Sequence, residues 1–321
     1  MDREYFPDKK TGSKNSIEYY AYNKENVESK YLNKAEVLVE ALPYIKEYFN
    51  KIVVVKIGGS MMEDDAIMQS VLDDIILMKY VGIRTVLIHG GGKHITEMMK
   101  EKNIKAEFID GLRVTDKQTI EVVKMVLSGV INTKIVSFLN KHGKVAIGVS
   151  GNDGNFIRCR KKIYERDGKK LDLGYVGEIM KVDSEFLEDI LDNSYIPVIA
   201  TLGTDAKGNI YNINADSCAS KIAVSLKATK MILLTDVDGI IENNGKKAGK
   251  VKRLVSRLTA TRCQEMIKRG DISSGMIPKV NACIDSLKGR VERTHILNGK
   301  SAHSILIEIF TDKGIGTMIT L

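Results

Sequence analysis

The run Ile52-Val53-Val54-Val55-Lys56-Ile57-Gly58-Gly59-Ser60 constrains this chain most. Its β-branched residues form a buried strand, and the strand stops where two glycines strip the backbone of side chains so that it can touch an anion closely. Thr85-Val86-Leu87-Ile88-His89-Gly90-Gly91-Gly92 repeats the device, with an apolar strand, three glycines and then a helical pattern from Lys93 to Lys102. Two such turns at neighbouring strand ends face one crevice. In an open parallel sheet, ligands bind beyond the carboxyl ends of the strands, where glycine turns and helix N-termini present N–H groups to phosphates. Neither turn is a Walker A loop or a full dinucleotide fingerprint.

Strand and helix patterns alternate from Lys51 onward. Strands at 52–57, 84–89, 145–149, 196–201, 231–235 and 294–297 are separated by helical patterns near 64–81, 93–102, 117–142, 183–193, 215–228, 259–269 and 275–289. Residues 155–182 read as a β-hairpin turning at Asp167-Gly168. That order predicts an α/β fold with a mainly parallel central sheet, with a boundary near 229 that separates residues 51–228 from 229–321. Ahead of the sheet, Ala35, Leu38, Leu42, Ile45 and Phe49 recur every three or four residues and predict a helix over 28–50, kinked at Pro43. Such a helix packs either on its own domain or on a neighbouring subunit. Residues 1–27 show no period and read as a flexible tail, in which Tyr19, Tyr20 and Tyr22 leave a docking role open.

At 321 residues, 43% hydrophobic and 28% charged, this is a globular composition. The net charge of +8 gathers in runs such as Arg158-Cys159-Arg160-Lys161-Lys162 and Lys246 to Arg253. These lie in glycine-containing hairpin sequences without interleaved aromatics, so they read as solvated loops and not as a nucleic-acid surface. Cys159, Cys218, Cys263 and Cys283 are too scattered for a metal site or a disulfide framework, and the histidines, His89, His94, His142 and His303 among them, lack metal-ligand spacing. No stretch reads as a membrane span and the polar start is no signal peptide, so the expected location is the cytoplasm.

Lys56 and Lys279 both stand at junctions of apolar and glycine-containing sequence, where a positive charge beside free N–H groups suits the spreading of charge on a phosphoryl group in transfer. The plainer reading of each is a solvated lysine. Two lysines on one phosphate repel each other, and Asp216, entering a helix, is a candidate to hold both; its alternative role is a helix N-terminal charge. Arg113 in Asp110-Gly111-Leu112-Arg113-Val114-Thr115 suits a bidentate grip on a carboxylate, against the commoner surface ion pair. Asn212 and Asn214 alternate along a strand and point to one side, against a role in turn chemistry.

Taken together, KIGGS at 56–60, HGGGKHI at 89–95, DGLRVT at 110–115, NINAD at 212–216, LLTDVDG at 233–239 and SGMIPKVNAC at 274–283 resemble the N-acetylglutamate kinases of the amino acid kinase family, in order and over about residues 51–321. The resemblance implies an open αβα sandwich of two lobes, the first (51–228) for the acyl-amino acid and the second (229–321) for the nucleotide. It implies ATP-dependent phosphorylation of the γ-carboxylate of N-acetyl-L-glutamate, a step of arginine biosynthesis, with Mg2+ held mainly by the ATP phosphates. Matched by position, Lys56 and Lys279 are its phosphate-stabilising lysines and Asp216 the residue that organises them. Gly58 and Gly59 line the phosphoryl group; Gly90 and Gly91 donate to the acceptor, which Arg113, Asn212 and Asn214 hold; Thr235, Asp236, Gly275 and Met276 fall at the nucleotide.

The helix ending in Glu40-Ala41-Leu42-Pro43-Tyr44-Ile45 and the tail from His303 to Thr317 resemble the arginine-inhibited branch of that family, whose N-terminal helices interlace three dimers into a hexamer. This places an L-arginine site at Tyr44, Lys221, His295, Glu308 and Gly314. Asn152 departs from the family's pattern, which often has lysine there. Two further readings stand beside this one: a kinase for aminoadipate or glutamate borne on an acidic carrier protein, and a catalytically silent binding member of the fold. The pattern around Arg113 favours the free substrate over the first, and the presence of Lys56, Asp216 and Lys279 argues against the second.

Overall fold

The computed structural model describes residues 15–166, 168–244, 251–312 and 314–321. The chain divides into two compact units, residues 1–46 and 47–321. The first is built on helix α1 (Asn15–Tyr48), 34 residues long with Pro43 inside it. Residues 15–27, expected as a tail, are therefore helical; residues 1–14 lie outside the described residues. A polar segment without apolar period carries no helical signal of its own, which is why the pattern became readable only near residue 28.

The second unit opens with β1 (Ile52–Ile57), α2 (Asp65–Tyr80), β2 (Arg84–His89) and α3 (Gly92–Glu101). Asp64 starts α2 by accepting from the N–H groups of Ala66 and Ile67 at 2.9 and 3.2 Å. Two short strands, β3 (Phe108–Ile109) and β4 (Leu112–Arg113), form a small hairpin. There follow α4 (Lys117–Lys124), a π-helical stretch Met125–Asn132, α5 (Thr133–Leu139) and β5 (Ala146–Ser150). The sequence predicts one uniform helix over 117–142; instead its middle is wound wider. This 26-residue run is long and apolar enough to cross a membrane, which the sequence reading did not expect, yet Val123, Leu127, Ile131, Ile135 and Leu139 are buried against the sheet.

Strands β6 (Ile157–Arg166) and β7 (Lys169–Val182) make the expected hairpin, although Asp167 at its turn lies outside the described residues. The first basic run lies on β6, where Arg160 pairs with Glu178 and Lys161 with Asp172 across the strands; of the second, Lys246 to Lys250 lie outside the described residues. With β9 (Leu202–Thr204) and β10 (Ile210–Asn212), the hairpin closes a small four-stranded barrel. Helix α6 (Ser184–Asp192) leads to β8 (Ile196–Ala200), and α7 (Ala215–Ser225) to β11 (Lys230–Thr235). The remainder holds the hairpin of β12 (Ile241–Asn244) and β13 (Val251–Leu254), then β14 (Arg257–Thr259), α8 (Ala260–Arg269), α9 (Ile277–Lys288), β15 (Arg293–Asn298), α10 (Ser304–Phe310) and β16 (Thr317–Thr320).

One eight-stranded sheet runs β14-β16-β15-β11-β1-β2-β8-β5, parallel throughout except where β16 meets β15. The expected αβα sandwich with a mainly parallel sheet is therefore the fold. Successive side chains of β1 enter opposite faces: Val54 joins one buried cluster, while Val53, Val55 and Ile57 join the other. Register matters more for the site. Ile57 lies opposite His89, and Lys56 lies between Ile88 and Leu233, so the chain leaves β1, β2 and β11 at one edge of the sheet as Gly58, Gly90 and Asp236.

The segment after β4 is stitched to β7 by two backbone bonds, Thr115 N–H to Leu173 O at 2.8 Å and Tyr175 N–H to Thr115 O at 2.6 Å. Gly174 between them has φ +73°, and a Cβ on it would meet the Thr115 carbonyl oxygen at 2.1 Å. We expect Gly174→Ala to destabilise the protein by about 2 kcal/mol or more. Denaturant unfolding measures this; a variant as stable as the parent contradicts the stitch.

Candidate active site

Strand β1 and helices α7 and α9 bring three charges together. Lys56 is the penultimate residue of β1, Asp216 lies in the first turn of α7, and Lys279 lies in the first turn of α9. The Asp216 carboxylate receives Lys56 Nζ on Oδ1 at 2.8 Å and Lys279 Nζ on Oδ2 at 2.9 Å. Lys56 and Asp216 are buried. At an effective dielectric of 20, unit charges about 4 Å apart interact by about 4 kcal/mol, so two attractions outweigh the one repulsion between the lysines. Burial pushes the Asp216 carboxyl up, but the two ammonium groups overcome it and hold it at about 2. Burial pulls the Lys56 ammonium below its ordinary value, and Asp216 opposes that pull. The cluster keeps one net positive charge for an anion.

Beside it lies a cavity of about 200 Å³ lined by Lys56, Gly59, Gly90, Gly91, Arg113, Asn212, Asn214 and Asp216, among others. Eight residues singled out from sequence thus converge. Gly58 is next to them: a Cβ there would sit 3.7 Å from Lys56 Nζ and 3.1 Å from the Leu234 carbonyl oxygen. Arg113 is buried, stacked 4.6 Å over the Phe108 ring, and donates to Gly92 O at 2.6 Å, Thr96 Oγ1 at 2.8 Å and Met99 Sδ at 3.2 Å. All these partners are neutral, and among the described residues no carboxylate pairs with it. A buried guanidinium in that state keeps its positive charge uncompensated by a carboxylate of the described residues.

Asn212 ends β10 and donates weakly to Thr115 Oγ1 at 3.4 Å. Asn214 does not share its strand: it caps α7 through Oδ1, which accepts from Ser217 N–H at 3.0 Å. The expectation of two asparagines alternating on one strand therefore fails, because the chain turns into α7 between them; both still face the cavity.

Of the nucleotide candidates, Met276 lines a second cavity of about 200 Å³, with Val237, Gly239, Ile240, Ile241, Asp271, Ile272 and Ser273. Thr235 and Asp236 stand at the end of β11, where Thr235 Oγ1 donates to Asp236 at 3.3 Å, and Gly275 has open space around its Cα. Ile240, Ile241 and Ile272 were not singled out from sequence; apolar residues there are indistinguishable from core.

Farther along the sheet, three of the five residues matched to an arginine site come together. Glu308 on α10 meets His295 Nδ1 at 2.7 Å, and Gly314 abuts its carboxylate, where a Cβ would come within 2.8 Å. Lys221 is not among them. It lines a separate cavity with Ser217, Asn281 and Asp285, and the lysine beside Glu308 is Lys230, at 3.7 Å and stacked 5.0 Å over the Tyr48 ring. Tyr44 belongs to the first unit, on α1. Burial pushes the Glu308 carboxyl up, but His295 and Lys230 outweigh it and hold it below its usual value.

A buried Lys–Asp–Lys cluster beside a cavity, on the carboxyl edge of a parallel sheet, suits phosphoryl transfer. The chain belongs to the amino acid kinase family, whose pattern matches residues 51–298. It is a kinase. It is 48% identical over 295 residues to the acetylglutamate kinase of Carboxydothermus hydrogenoformans, covering 91% of this chain and 99% of that one. Among solved structures it resembles N-acetylglutamate synthase from Neisseria gonorrhoeae in complex with coenzyme A and N-acetyl-glutamate (TM-score 0.78, 28% identity, 89% of this chain and 63% of that one). The same synthase with coenzyme A and L-arginine gives a TM-score of 0.74 at 29% identity, over 89% of this chain and 65% of that one. This chain thus spans less than two thirds of the synthase.

Replacing Asp216 by Asn removes the charge both lysines share. We expect kcat to fall by about 10²–10³. Lys56, already held low by burial, loses its opposing attraction, so activity is lost at lower pH as pH rises. A pH–rate profile measures this; an alkaline limb in the parent's place contradicts the role of Asp216 in keeping Lys56 charged.

Proposed function

We propose that this kinase transfers the γ-phosphoryl group of ATP to the γ-carboxylate of N-acetyl-L-glutamate, the second step of arginine biosynthesis, in the cytoplasm. The observation that carries the reading is the buried, anion-less Arg113 across one cavity from the Lys56–Asp216–Lys279 cluster. A dicarboxylate fits that arrangement: Arg113 takes the α-carboxylate and the glycine turn after β2 receives the γ-carboxylate. Gly91 supplies an N–H group, whereas that of Gly90, expected to do the same, donates to the Ile57 carbonyl oxygen at 3.4 Å; Asn212 and Asn214 border the acyl chain.

The attacking γ-carboxylate is ionised at neutral pH, so no general base is needed. Catalysis then rests on placement and on charge. Lys56 and Lys279 offset the negative charge on the transferring phosphoryl oxygens, Gly58 and Gly59 let the backbone approach them, and Asp216 keeps both lysines in position. Thr235, Asp236, Gly275 and Met276 belong to the nucleotide side, where Ile240, Ile241 and Met276 offer an apolar bed for a base. Among the described residues no three His, Cys, Asp or Glu side chains converge on one point. An Mg2+ ion would be carried mainly by the ATP phosphates, with Asp236 as the residue that would help hold it, and would supply charge neutralisation.

L-Arginine is the proposed feedback inhibitor, bound at Glu308 with His295, Gly314 and, in place of Lys221, Lys230. The guanidinium of arginine suits the Glu308 carboxylate. A trimer of dimers through α1 goes with this reading, since Leu38 and Leu42 expose apolar surface on that helix.

Acyl-phosphate formation from ATP and free N-acetyl-L-glutamate, trapped with hydroxylamine, is the expected activity; none on the free acid contradicts the reading. Glu308→Ala is expected to keep that activity and lose inhibition by L-arginine, and inhibition equal to the parent's removes the site. Arg113→Lys replaces a flat fork by a point charge and is expected to raise KM for acetylglutamate about tenfold or more, with KM for ATP unchanged. Equal effects on both substrates contradict the Arg113 role.

A further inference from the structure

We infer that His89 and Asn132 are positioning residues for the phosphoryl transfer, setting the Gly90–Gly91 peptide so that its N–H points at the acceptor. His89 is the last residue of β2, fully buried, and burial pulls its imidazole down to about 4, so the ring is neutral. A neutral ring has one donor and one acceptor. Asn132 Nδ2 lies 2.8 Å from the Val198 carbonyl oxygen on β8, which fixes that atom as the amide nitrogen. Its remaining hydrogen meets His89 Nε2 at 3.1 Å, so Nε2 is the acceptor. The proton therefore sits on Nδ1, which donates to the carbonyl oxygen of Gly90 at 3.1 Å.

That bond determines the direction of the next N–H. The Gly90–Gly91 peptide is trans, and in a trans peptide the C=O and N–H point to opposite sides. With the Gly90 oxygen held against the buried imidazole, the Gly91 N–H is aimed the other way, at the cavity that Gly90, Gly91 and Gly92 line.

The π-helical stretch supplies a second hold on the same peptide. Asn132 ends it, and the Asn132 amide oxygen occupies space that only Gly148 on β5 leaves, since a Cβ there would come within 2.1 Å. One residue and about one turn earlier, Ile131 and Leu127 press on Gly91: a Cβ on Gly91 would meet their methyl groups at 2.5 and 2.7 Å. The widened turn thus presents two apolar side chains to the Gly91 Cα and one amide to the His89 ring, a use consistent with the frequency of π-bulges at functional sites.

The inference rests on the reading that the Gly91 N–H faces the acceptor, and two measurements separate them. In enzyme labelled with 15N-histidine, long-range 1H–15N correlation is expected to show His89 as the neutral Nδ1–H tautomer between about pH 6 and 9. In the parent enzyme the Gly91 amide resonance is expected to shift when N-acetyl-L-glutamate is added. No shift overturns the acceptor contact and with it the positioning role; a shift with His89 in the Nε2–H form overturns the inference alone. In kinetics, His89→Leu and Asn132→Leu are expected to lower kcat/KM for acetylglutamate about tenfold to hundredfold with KM for ATP unchanged. His89→Asn, which keeps an N–H at the place of Nδ1, is expected to recover most of it. Equal losses in the Leu and Asn variants at 89, or losses that raise both KM values in step with a lower Tm, overturn the inference.

Discussion

Everything at the catalytic edge depends on one buried carboxylate, Asp216, held between two ammonium groups beside the cavity. Buried charges are costly, and a lone lysine at the position of Lys56 would shed its proton. Two lysines near one point would repel each other besides. Asp216 resolves both difficulties at 2.8 and 2.9 Å, and the cluster it forms carries one positive charge toward the cavity. Because the three residues come from β1, α7 and α9, the cluster also joins elements far apart in sequence.

The sheet exists, in this account, to bring those elements to one edge. The β-branched run of β1 is buried on both faces, which fixes it at the centre with β2 and β11 on either side. With Ile57 opposite His89, the glycine turns after β1 and β2 emerge together, and a slip by one residue would send Lys56 to the other face. The small barrel and the β3–β4 hairpin then wall the cavity from the far side and place Arg113 in it. The Lys230–Glu308–His295 cluster uses the same sheet from its other end, since Lys230 opens β11, whose last residue, Thr235, lies at the carboxyl edge.

Much of this was legible in the sequence, for a physical reason. Strands buried on both faces read as continuous apolar runs, and a lysine or histidine running into glycines has few purposes in such a place, so Lys56, Gly59, Gly90 and Gly91 were found from local pattern. Lys279 and Asp216 stand out by residue type, and the structure pairs them at 2.9 Å. What failed depends on packing. Lys230 begins a strand that hydropathy starts at Met231, and nothing local shows that Glu308 lies above it; Lys221, matched by position, faces another cavity. Helix α10, Ser-Ile-Leu-Ile-Glu-Ile-Phe, is short and alternates apolar with polar residues too loosely to tell helix from strand. The π-helical stretch is invisible because its residues satisfy an ordinary helical pattern, and Asn214 was read as part of a strand because a capping asparagine looks the same as one that faces a ligand.

A double-mutant cycle on kcat with Lys56→Met, Asp216→Asn and the pair decides whether Asp216 acts through the lysines or on the substrates directly. Strong non-additivity is expected of action through the lysines: once Lys56 is gone, removing Asp216 costs much less than it does alone, because half of what the carboxylate holds is already absent. Losses that multiply, with the double variant slower by the product of the two single effects, would contradict it and make Asp216 an independent contributor to the chemistry.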